Sequence, residues 1–532
     1  MRIHGLIALL LLPACRDVVG VGSVGAFDQD AGTLGGDSSQ GSSQDAGEDQ
    51  DAAPLPPGTG NGEPAARCTV SACAKQDLGC DPVQGVCVPC SDADPSSPEV
   101  FVDVAATGLT NPKGTAACPF PTIQAGLDRA NRALAVKRVR VAKGTYSQEK
   151  LPLVVRGVEL IGAGSGETEI RRSGSPEADA AGRKAVLAVG SSAADTTIRG
   201  LRVTTAESIS RTSEDWFSYV GVLCDAGPIN EPNPTKLPEP NTFITDFAVE
   251  AGFGVGVFTT SSPLSLGGRS ACYPRIQRST FQVVNGVAIA ADCPGAKGGL
   301  APCAVEIGGG SEDAVLIEGS FTPPALRSRA IEVQGNVRFA RISHVVAKRL
   351  YFGALFGDAG PTGVNAWTIM DSAFEANHYG IWLDCSSQLQ ELRTSRFRDN
   401  EVAIVFGTGA YCKGASRAAI LRARSNELAF NTVGLHAGPG MTATSDFGGA
   451  DPGRNVFACN GLKSHPTLPS GDVAVYSDTP GLFSLAGNDW DRVPEVTVSA
   501  DPPTTRFSLW AKAAASIGSI AGAGRANVSC TR

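Results

Sequence analysis

Aromatic residues are scarce in this sequence of 532 residues, where phenylalanine, tryptophan and tyrosine together make up 6%. Large globular cores are usually filled by such bulky side chains, so their scarcity argues against one. Glycine is abundant instead, with 63 residues. The length also exceeds what a single compact core usually holds. Narrow repeated coils, in which each repeat packs only on its neighbours, fit both observations better.

Excess charge is also lacking over most of the chain. The formal net charge is −8, and residues 16–66 account for all of it because nine acids there face one base, Arg16. The remaining 44 acids and 44 bases cancel, so we expect no nucleic-acid partner. Residues 15–66 are rich in glycine, serine and aspartate and show no hydrophobic periodicity. This composition predicts a disordered acidic tether.

The apolar run Leu6–Leu12 is too short to span a membrane as a mature helix. It ends in Leu12-Pro13-Ala14-Cys15, a motif that resembles the lipobox of bacterial lipoproteins. The resemblance implies a signal peptide over residues 1–14 and a lipid anchor on Cys15, the first mature residue. Because Arg16 rather than aspartate follows, it also implies a location at the bacterial outer membrane or cell surface. An ordinary secretory signal with an incidental cysteine is the alternative.

The sequence contains fifteen cysteines, and an exported chain meets an oxidising environment that favours disulfides. Five of them lie between Cys68 and Cys90, in a segment with too few apolar residues to fold without such staples. This density predicts a small EGF-like or similar module over residues 67–98. Because five is odd, one bridge should reach Cys118. The cysteines expected to be oxidised are Cys68, Cys73, Cys80, Cys87, Cys90, Cys118, Cys224, Cys272, Cys293, Cys303, Cys385, Cys412, Cys459 and Cys530.

The later cysteines are expected to pair with sequence neighbours, namely Cys224 with Cys272, Cys293 with Cys303, Cys385 with Cys412 and Cys459 with Cys530. The rival interpretation is zinc, since Cys87-Val88-Pro89-Cys90 has the spacing of a zinc knuckle. A four-cysteine site needs a second pair of this spacing, which the sequence lacks, and export also argues against zinc. We therefore predict no metal site.

The stretch from Phe101 to Ile170 runs from a strand-like start through a Gly/Pro-rich loop to an amphipathic helix and further strands. The helix, predicted over Thr122–Leu134, carries one apolar stripe that would cover the open end of stacked coils. The residues of this stripe are Ile123, Leu127, Ala130 and Leu134. This arrangement resembles the N-terminal cap and first coils of the pectin-lyase-like superfamily. The resemblance implies an all-β fold, a right-handed single-stranded parallel β-helix over residues 99–532, with the helix as its cap.

From about Val158 onward the chain repeats a short pattern of apolar residue, asparagine or turn, glycine and alternating strand. Asp371–Cys385 and Thr394–Gly409 align at an offset of 23 residues, and Ser425–Gly438 repeats the pattern. Such spacing with strand alternation is typical of a parallel β-helix. Turn asparagines are expected to stack and satisfy turn backbone groups. These asparagines are Asn377, Asn400 and Asn431.

The alignment of these repeats also predicts one outward-facing column of side chains. It contains Leu223, Gly256, Ala288, Glu332, Leu355, Trp382, Val405 and His436. Hydrolysis of a glycosidic bond needs two neighbouring carboxyl groups, and lyase chemistry on uronates needs a base with a cation, often Ca²⁺. With one acid among its eight positions, the column supplies neither the carboxyl pair nor the base with a cation. The motifs of polygalacturonases and the clustered acids of pectate lyases are also missing from the sequence.

Flat aromatic faces pack well on sugar rings, so Trp382 and Tyr379 are candidate ligand-binding residues, with Glu332 and His436 beside them. A loop packed over the rings is the alternative. His378 is interpreted as a lone surface or packing residue. The preferred hypothesis is a non-catalytic, monomeric, lipid-anchored surface protein without a cofactor, whose β-helix binds a glycan or a protein. The alternative is a polysaccharide lyase or glycoside hydrolase with a loop-borne active site, for which Ca²⁺ would be the expected cofactor.

Overall fold

Three long parallel sheets make up most of the computed structural model of this protein. It describes residues 68–531 except 93, 134, 173–182, 191–193, 205–218, 226–238, 252–253, 261–271, 294–302, 320–327, 336, 360–365, 385, 408–416, 450, 464 and 527. Each turn of the chain contributes one strand to each sheet in turn, which is the arrangement of a single-stranded parallel β-helix. The predicted fold class is therefore confirmed.

Sheet 1 begins at the strand that opens the β-helix. Its strands are Glu99–Val102, Arg138–Val141, Glu159–Gly162, Thr196–Arg199, Thr242–Thr245, Pro274–Gln277, Cys303–Ile307, Val337–Ser343, Ala366–Met370, Gln388–Arg393, Ala419–Ile420 and Ala423–Arg424. Sheet 2 contains Gly144–Tyr146, Thr168–Arg171, Arg202–Thr204, Ala248–Ala251, Thr280–Val283, Val315–Gly319, Val345–Lys348, Ala373–Glu375, Arg396–Arg398, Glu427–Ala429, Val456–Ala458, Asp489–Trp490 and Gly524–Arg525.

Sheet 3 carries the residues of interest for function. Its strands are Leu153–Val155, Lys184–Val189, Tyr219–Asp225, Gly254–Thr260, Gly286–Cys293, Arg329–Gly335, Phe352–Ala359, Tyr379–Leu383, Val402–Phe406, Val433–Ala437, Gly471–Val475, Val496–Val498 and Phe507–Ala511. A small parallel pair, Ser445–Asp446 and Phe483–Ser484, lies near the C-terminal end. Short 3-10 helices cover Val104–Ala106, Ser311–Asp313 and Ala514–Ser516.

Alternate residues of each strand point into the coil and stack on the residue one coil away. In sheet 2, for example, the rings of Phe374 and Phe397 stack with centroids 5.2 Å apart, and both are fully buried. The rings of Phe457 and Trp490 stack in the same way at 4.5 Å. Each coil is thus stabilised by its two neighbours, as in other solenoids.

The corners between sheets 2 and 3 are held by a ladder of asparagine amides. The backbone N–H of Asn377 donates to Oδ1 of Asn400, that of Asn400 to Asn431, and that of Asn431 to Asn460, each at 3.0 Å. The residue before each asparagine adopts a left-handed conformation, for example φ 60° at Asp399, which closes the tight corner. The predicted stacking of Asn377, Asn400 and Asn431 is confirmed.

The predicted cap helix is present as Ile123–Arg132. Thr122 begins it, and its hydroxyl accepts a hydrogen bond from the N–H of Ala125 at 3.3 Å. Gly126 lets the helix approach the first coil, because a Cβ there would lie 2.7 Å from a methyl of Val102. The predicted stripe is buried at Ile123, Leu127 and Ala130, whereas Leu134 lies outside the described residues.

The small cysteine-rich segment contains a helix, Val70–Ala74, and a two-stranded antiparallel pair, Gly79–Cys80 with Cys87–Val88. It packs on the 3-10 helix Val104–Ala106 and the loop that follows, through an apolar cluster that includes Ala74, Ala106 and Leu109. The disulfides of this region are Cys68–Cys80, Cys73–Cys87 and Cys90–Cys118. One bridge therefore reaches Cys118, as expected from the odd number of cysteines.

Three bridges in the rest of the chain join the expected neighbours, Cys224–Cys272, Cys293–Cys303 and Cys459–Cys530. Cys385 and Cys412 lie outside the described residues, as do Cys15, the signal peptide over residues 1–14 and the tether over residues 15–66. Within the described ranges, no helix is long and apolar enough to cross a lipid bilayer.

Candidate functional site

The outward face of sheet 3 carries a column of side chains one residue wide. Strand register places in it Leu223, Phe258, Ala290, Glu332, Leu355, Trp382, Val405, His436, Ala474 and Trp510. The prediction of Gly256 and Ala288 at this column is wrong by two residues. A Cβ on Gly256 would face inward, 3.0 Å from the ring of Phe281. Gly256 and Val257 both face the core, and two consecutive inward positions break the alternation on which the prediction relied.

Four aromatic rings and one imidazole meet on this face, and we call them the aromatic cluster: Tyr351, Phe352, His378, Tyr379 and Trp382. His378 stacks on Tyr351 with centroids 4.5 Å apart and meets the edge of Tyr379 at 4.1 Å. The ring centroid of Tyr379 in turn lies 4.9 Å from that of Trp382 and 5.4 Å from that of Phe352. All five side chains are half-buried, so the cluster keeps a solvent-accessible surface.

The structure therefore brings together Tyr379 and Trp382, the two predicted ring-binding residues, and adds Tyr351 and Phe352. These two residues occupy the coil before His378 and Tyr379, at matching positions of the strand register. A one-coil extension of the repeat alignment would have found them. Their backbone is held by the coil, since the N–H of Tyr379 donates to the carbonyl of Tyr351 at 2.9 Å.

Glu401, on the next coil, joins the aromatic cluster to a second histidine. Its Oε2 atom is in direct contact with Nδ1 of His378 and lies 3.4 Å from Nε2 of His465. Nδ1 of His465 accepts the backbone N–H groups of Thr467 and Leu468, at 3.2 and 3.1 Å. A ring nitrogen that accepts hydrogen bonds carries no proton, so the proton of His465 lies on Nε2, facing Glu401.

These contacts decide the charge of the carboxylate. Burial acts to raise the pKa of Glu401, but the hydrogen bond from His378 and the influence of both imidazoles outweigh it and leave the pKa below its ordinary value. Glu401 is therefore ionised at neutral pH. His378 packs on Tyr351, which agrees with its interpretation as a packing residue, but it is not alone, because Glu401 also contacts it. His465 comes from a loop that breaks the repeat pattern, so no periodic signal links it to His378.

The loop that carries His465 also covers part of sheet 3. Leu468 packs against a buried group of outward-facing side chains that includes Val402, Val405 and Val433. Tyr379 and Trp382 border this group but remain half-exposed. The loop therefore packs over side chains that lie C-terminal to the rings, such as Val405. Tyr379 and Trp382 themselves are covered only partly, so the alternative of a loop packed over the rings holds only in part.

Glu332 lies on the other side of the aromatic cluster and is nearly enclosed, with 3% of its surface exposed. Its Oε2 is 2.7 Å from Nη1 of Arg329, which is itself 7% exposed. The guanidinium of Arg329 lies over the ring of Phe352 at 5.6 Å from its centroid. This cation–π contact connects the buried ion pair to the aromatic cluster.

A second acid, Asp292, lies on the coil before Glu332. Burial raises the pKa of Asp292 to about 6, with a further contribution from the charge of Glu332, although a hydrogen bond from Gln334 acts to lower it. Two acids on adjacent coils thus influence each other. The column does contain Glu332 as its one acid, and Asp292 escaped the sequence reading because it stands two residues beyond that column.

His436 does not join the aromatic cluster. Its ring lies 5.1 Å from that of Tyr476, and the buried Val405 separates it from Trp382 in the column. Burial lowers the pKa of His436 to about 4, so its imidazole is neutral at physiological pH. It is suited to packing rather than to proton transfer.

Within the described part of the chain, two groups of side chains converge closely enough to hold a metal ion: Cys68 with Cys73 and Cys80, and Cys459 with Asp491 and Cys530. Every cysteine in both groups is in a disulfide. Metal ligation by cysteine needs a thiolate, so neither group is suited to zinc.

Several solved structures are similar to this chain at low sequence identity. The catalytic domain of a GH87 alpha-1,3-glucanase in complex with tetrasaccharides is 13% identical, with a TM-score of 0.32 over 76% of this chain and 71% of that chain. The A-module of the Azotobacter vinelandii mannuronan C-5 epimerase AlgE4 is 14% identical, with a TM-score of 0.29 over 75% of this chain and 100% of that chain. The Dettilon tailspike protein is 11% identical, with a TM-score of 0.28 over 77% and 68%.

At these TM-scores the similarities carry no argument about activity. No protein-family model and no curated protein matches the sequence. The three parallel sheets define the chain as a parallel β-helix protein, and its function has to be argued from its own residues.

Proposed function

We propose that the aromatic cluster binds a carbohydrate and that the protein is a non-catalytic glycan-binding β-helix. The observation that carries this proposal is the half-exposed state of Tyr379 and Trp382 on rigid strands. Sugar rings present apolar C–H faces that pack on aromatic rings, while their hydroxyl groups need hydrogen-bond partners. His378 and Glu401 supply such partners at the edge of the rings.

Rigidity supports the same proposal. The aromatic cluster lies on consecutive coils that are hydrogen-bonded to each other, with the asparagine ladder directly beside it. A site that is already formed loses little conformational entropy on binding, which favours affinity for a flexible ligand. The strands of sheet 3 also repeat coil after coil, which suits a chain-like ligand such as an oligosaccharide.

We further propose that the protein is displayed at the bacterial outer membrane or cell surface as a monomer with a lipid on Cys15. The lipobox-like motif before Cys15 supports this anchor. We expect Cys15→Ser to abolish fatty-acid labelling and membrane partitioning. Unchanged labelling in this variant would contradict the lipid anchor.

Glycan binding is tested with an oligosaccharide array followed by calorimetry on the ligands it identifies. We expect Trp382→Ala and Tyr379→Ala each to weaken binding about tenfold, which corresponds to ~1.4 kcal/mol. The matched control is Phe339→Ala, because Phe339 is a half-buried aromatic residue on sheet 1. Equal affinities in all three variants and the wild type would contradict the proposal.

A second candidate function is hydrolysis of a glycosidic bond by Asp292 and Glu332. The observation in its favour is the raised pKa of Asp292, since a general acid must hold its proton near the working pH. The tight pairing and burial of Glu332 count against it, because a water or a substrate must reach both carboxyl groups.

A degradation screen on neutral and uronate polysaccharides distinguishes the two functions. Reproducible turnover that is abolished by Asp292→Asn and by Glu332→Gln would establish the hydrolase and overturn the non-catalytic proposal. We expect no turnover in this screen. Asp478→Asn is the control, because Asp478 is an exposed acid paired with Lys512 far from sheet 3's centre.

A further inference from the structure

One carboxylate oxygen of Glu401 contacts two histidines, and the other is available to a ligand. Oε2 faces both His378 and His465, whereas Oε1 has no partner among the described residues. The side chain is 31% exposed, so a ligand in contact with the aromatic cluster can reach it. A formal negative charge with a free acceptor oxygen thus stands at the edge of the rings.

Both histidines face the same carboxylate oxygen, Oε2, through Nδ1 of His378 and Nε2 of His465. His465 is neutral in this arrangement, because its Nδ1 accepts two backbone N–H groups and its only proton points to Glu401. Oε1, which neither histidine contacts, therefore remains available to a ligand.

Two positively charged side chains near Glu401 and the aromatic cluster, Arg329 and Lys463, are each paired with an acid. On the strands from Gly286–Cys293 to Val402–Phe406, the described outward-facing acids include Asp292 and Glu332, and Arg329 is already paired with Glu332. Lys463, from the loop near Glu401, is paired with Asp399 at 3.4 Å. A polyanionic ligand such as a polyuronate would meet net repulsion here.

We infer that the aromatic cluster selects a glycan that carries amino groups, such as an oligomer of glucosamine. This inference rests on the proposed glycan-binding function. An ammonium group placed beside Glu401, at the edge of the aromatic cluster, gains a charge-assisted hydrogen bond to Oε1. The N-acetylated form of the same sugar has no charge to gain this contact, and a uronate carries the wrong one.

Three oligosaccharides of equal length test the inference: oligoglucosamine, its N-acetylated counterpart and oligogalacturonate. Calorimetry at pH 6.5 and low ionic strength should give at least tenfold tighter binding of oligoglucosamine than of the N-acetylated oligomer, and no detectable binding of the uronate. Added salt should reduce the preference, because the contact that creates it is electrostatic.

Glu401→Gln is the decisive variant, since glutamine keeps the shape and the acceptor oxygen for the histidines but removes the charge. We expect it to reduce the preference for oligoglucosamine to less than about threefold. Glu427→Gln is the control, because Glu427 is an acid paired with Arg398 on the outward face of sheet 2. The control should keep the full preference, and equal melting temperatures should confirm that both variants fold.

The outcomes separate this inference from the proposal beneath it. If the N-acetylated oligomer binds as tightly as oligoglucosamine, and Trp382→Ala still weakens binding, the inference is overturned and glycan binding stands. An intact preference in Glu401→Gln also overturns it. If no oligosaccharide binds, or Trp382→Ala has no effect on those that do, the proposed function fails together with the inference.

Discussion

Two regions of the same outward face of sheet 3 differ in exposure although their residues are similar in kind. In the N-terminal region, Phe258 and its neighbours Val255 and Leu223 form a buried apolar group. Four coils after Val255 and Phe258, Tyr379 and Trp382 remain half-exposed at the equivalent register positions. An outward-facing aromatic residue is thus covered in one region and accessible in the other. A binding site depends on what covers a side chain, which neither its type nor its register reveals.

The largest expected effect contrasts Phe258 with Trp382, which share one column. Phe258→Ala should lower the free energy of unfolding by about 3–5 kcal/mol, because it leaves a cavity in a buried group. Trp382→Ala should cost less than about 2 kcal/mol because water already reaches the ring. Denaturant unfolding measures both. Similar losses would show that Trp382 is covered in solution and that the two regions do not differ.

The next contrast concerns the inward side of sheet 3, where Asp472 stands in a column of small residues. The members of the column before it are Gly380, Ala403 and Gly434. Burial raises the pKa of Asp472 to about 7, although Asn460 donates a hydrogen bond to it at 2.8 Å. Because the folded state holds this proton more tightly than the unfolded state, the stabilisation is present below pH 4 and is lost as the pH rises towards 7.

Asp472→Asn should therefore stabilise the protein above pH 7, because asparagine stays neutral where the buried carboxyl group must ionise. Between about pH 4 and pH 7 the contribution of Asp472 to the free energy of unfolding should fall by about 1.4 kcal/mol per pH unit, and the variant should lack that slope. Thermal unfolding between pH 4 and 8 measures the effect. Asp478→Asn, at an exposed position, should leave the profile unchanged. If both variants behave alike, Asp472 is solvated and the core at this end of the β-helix is open.

A smaller effect is expected at the corner beside the aromatic cluster. Asn400→Ala removes the acceptor of the Asn377 N–H and the donor to the carbonyl of Phe374, which lies 2.9 Å from Nδ2. Leaving these buried groups without partners should cost about 2–3 kcal/mol. A loss below about 0.5 kcal/mol for the alanine variant would show that the ladder does not hold this corner.

Much of the fold was predictable because its signals are local. The cap helix shows its apolar stripe within one segment, and each turn asparagine is followed by a strand of the same pattern. Most cysteine pairs are close in sequence. The strand register across sheet 3 was harder to predict. Gly256 and Val257 both face the core, so the outward-facing residues after them are displaced from the positions that strict alternation predicts.

The candidate site was predictable only at Tyr379 and Trp382. Glu401 and His378 stand at the same corner on adjacent coils, but their contact depends on side-chain direction. His465 reaches them from a loop without periodicity. The pairing of Arg329 with Glu332 also escaped the sequence, since it turns an outward-facing acid into a buried, neutralised one.

The most direct test of the central claim is a crystal structure of the protein with a bound oligosaccharide. We predict a sugar ring packed on Tyr379 or Trp382, with a polar group of the ligand within hydrogen-bond distance of Oε1 of Glu401. A ligand bound to sheet 1 or sheet 2, with the aromatic cluster left empty, would contradict glycan binding at this site.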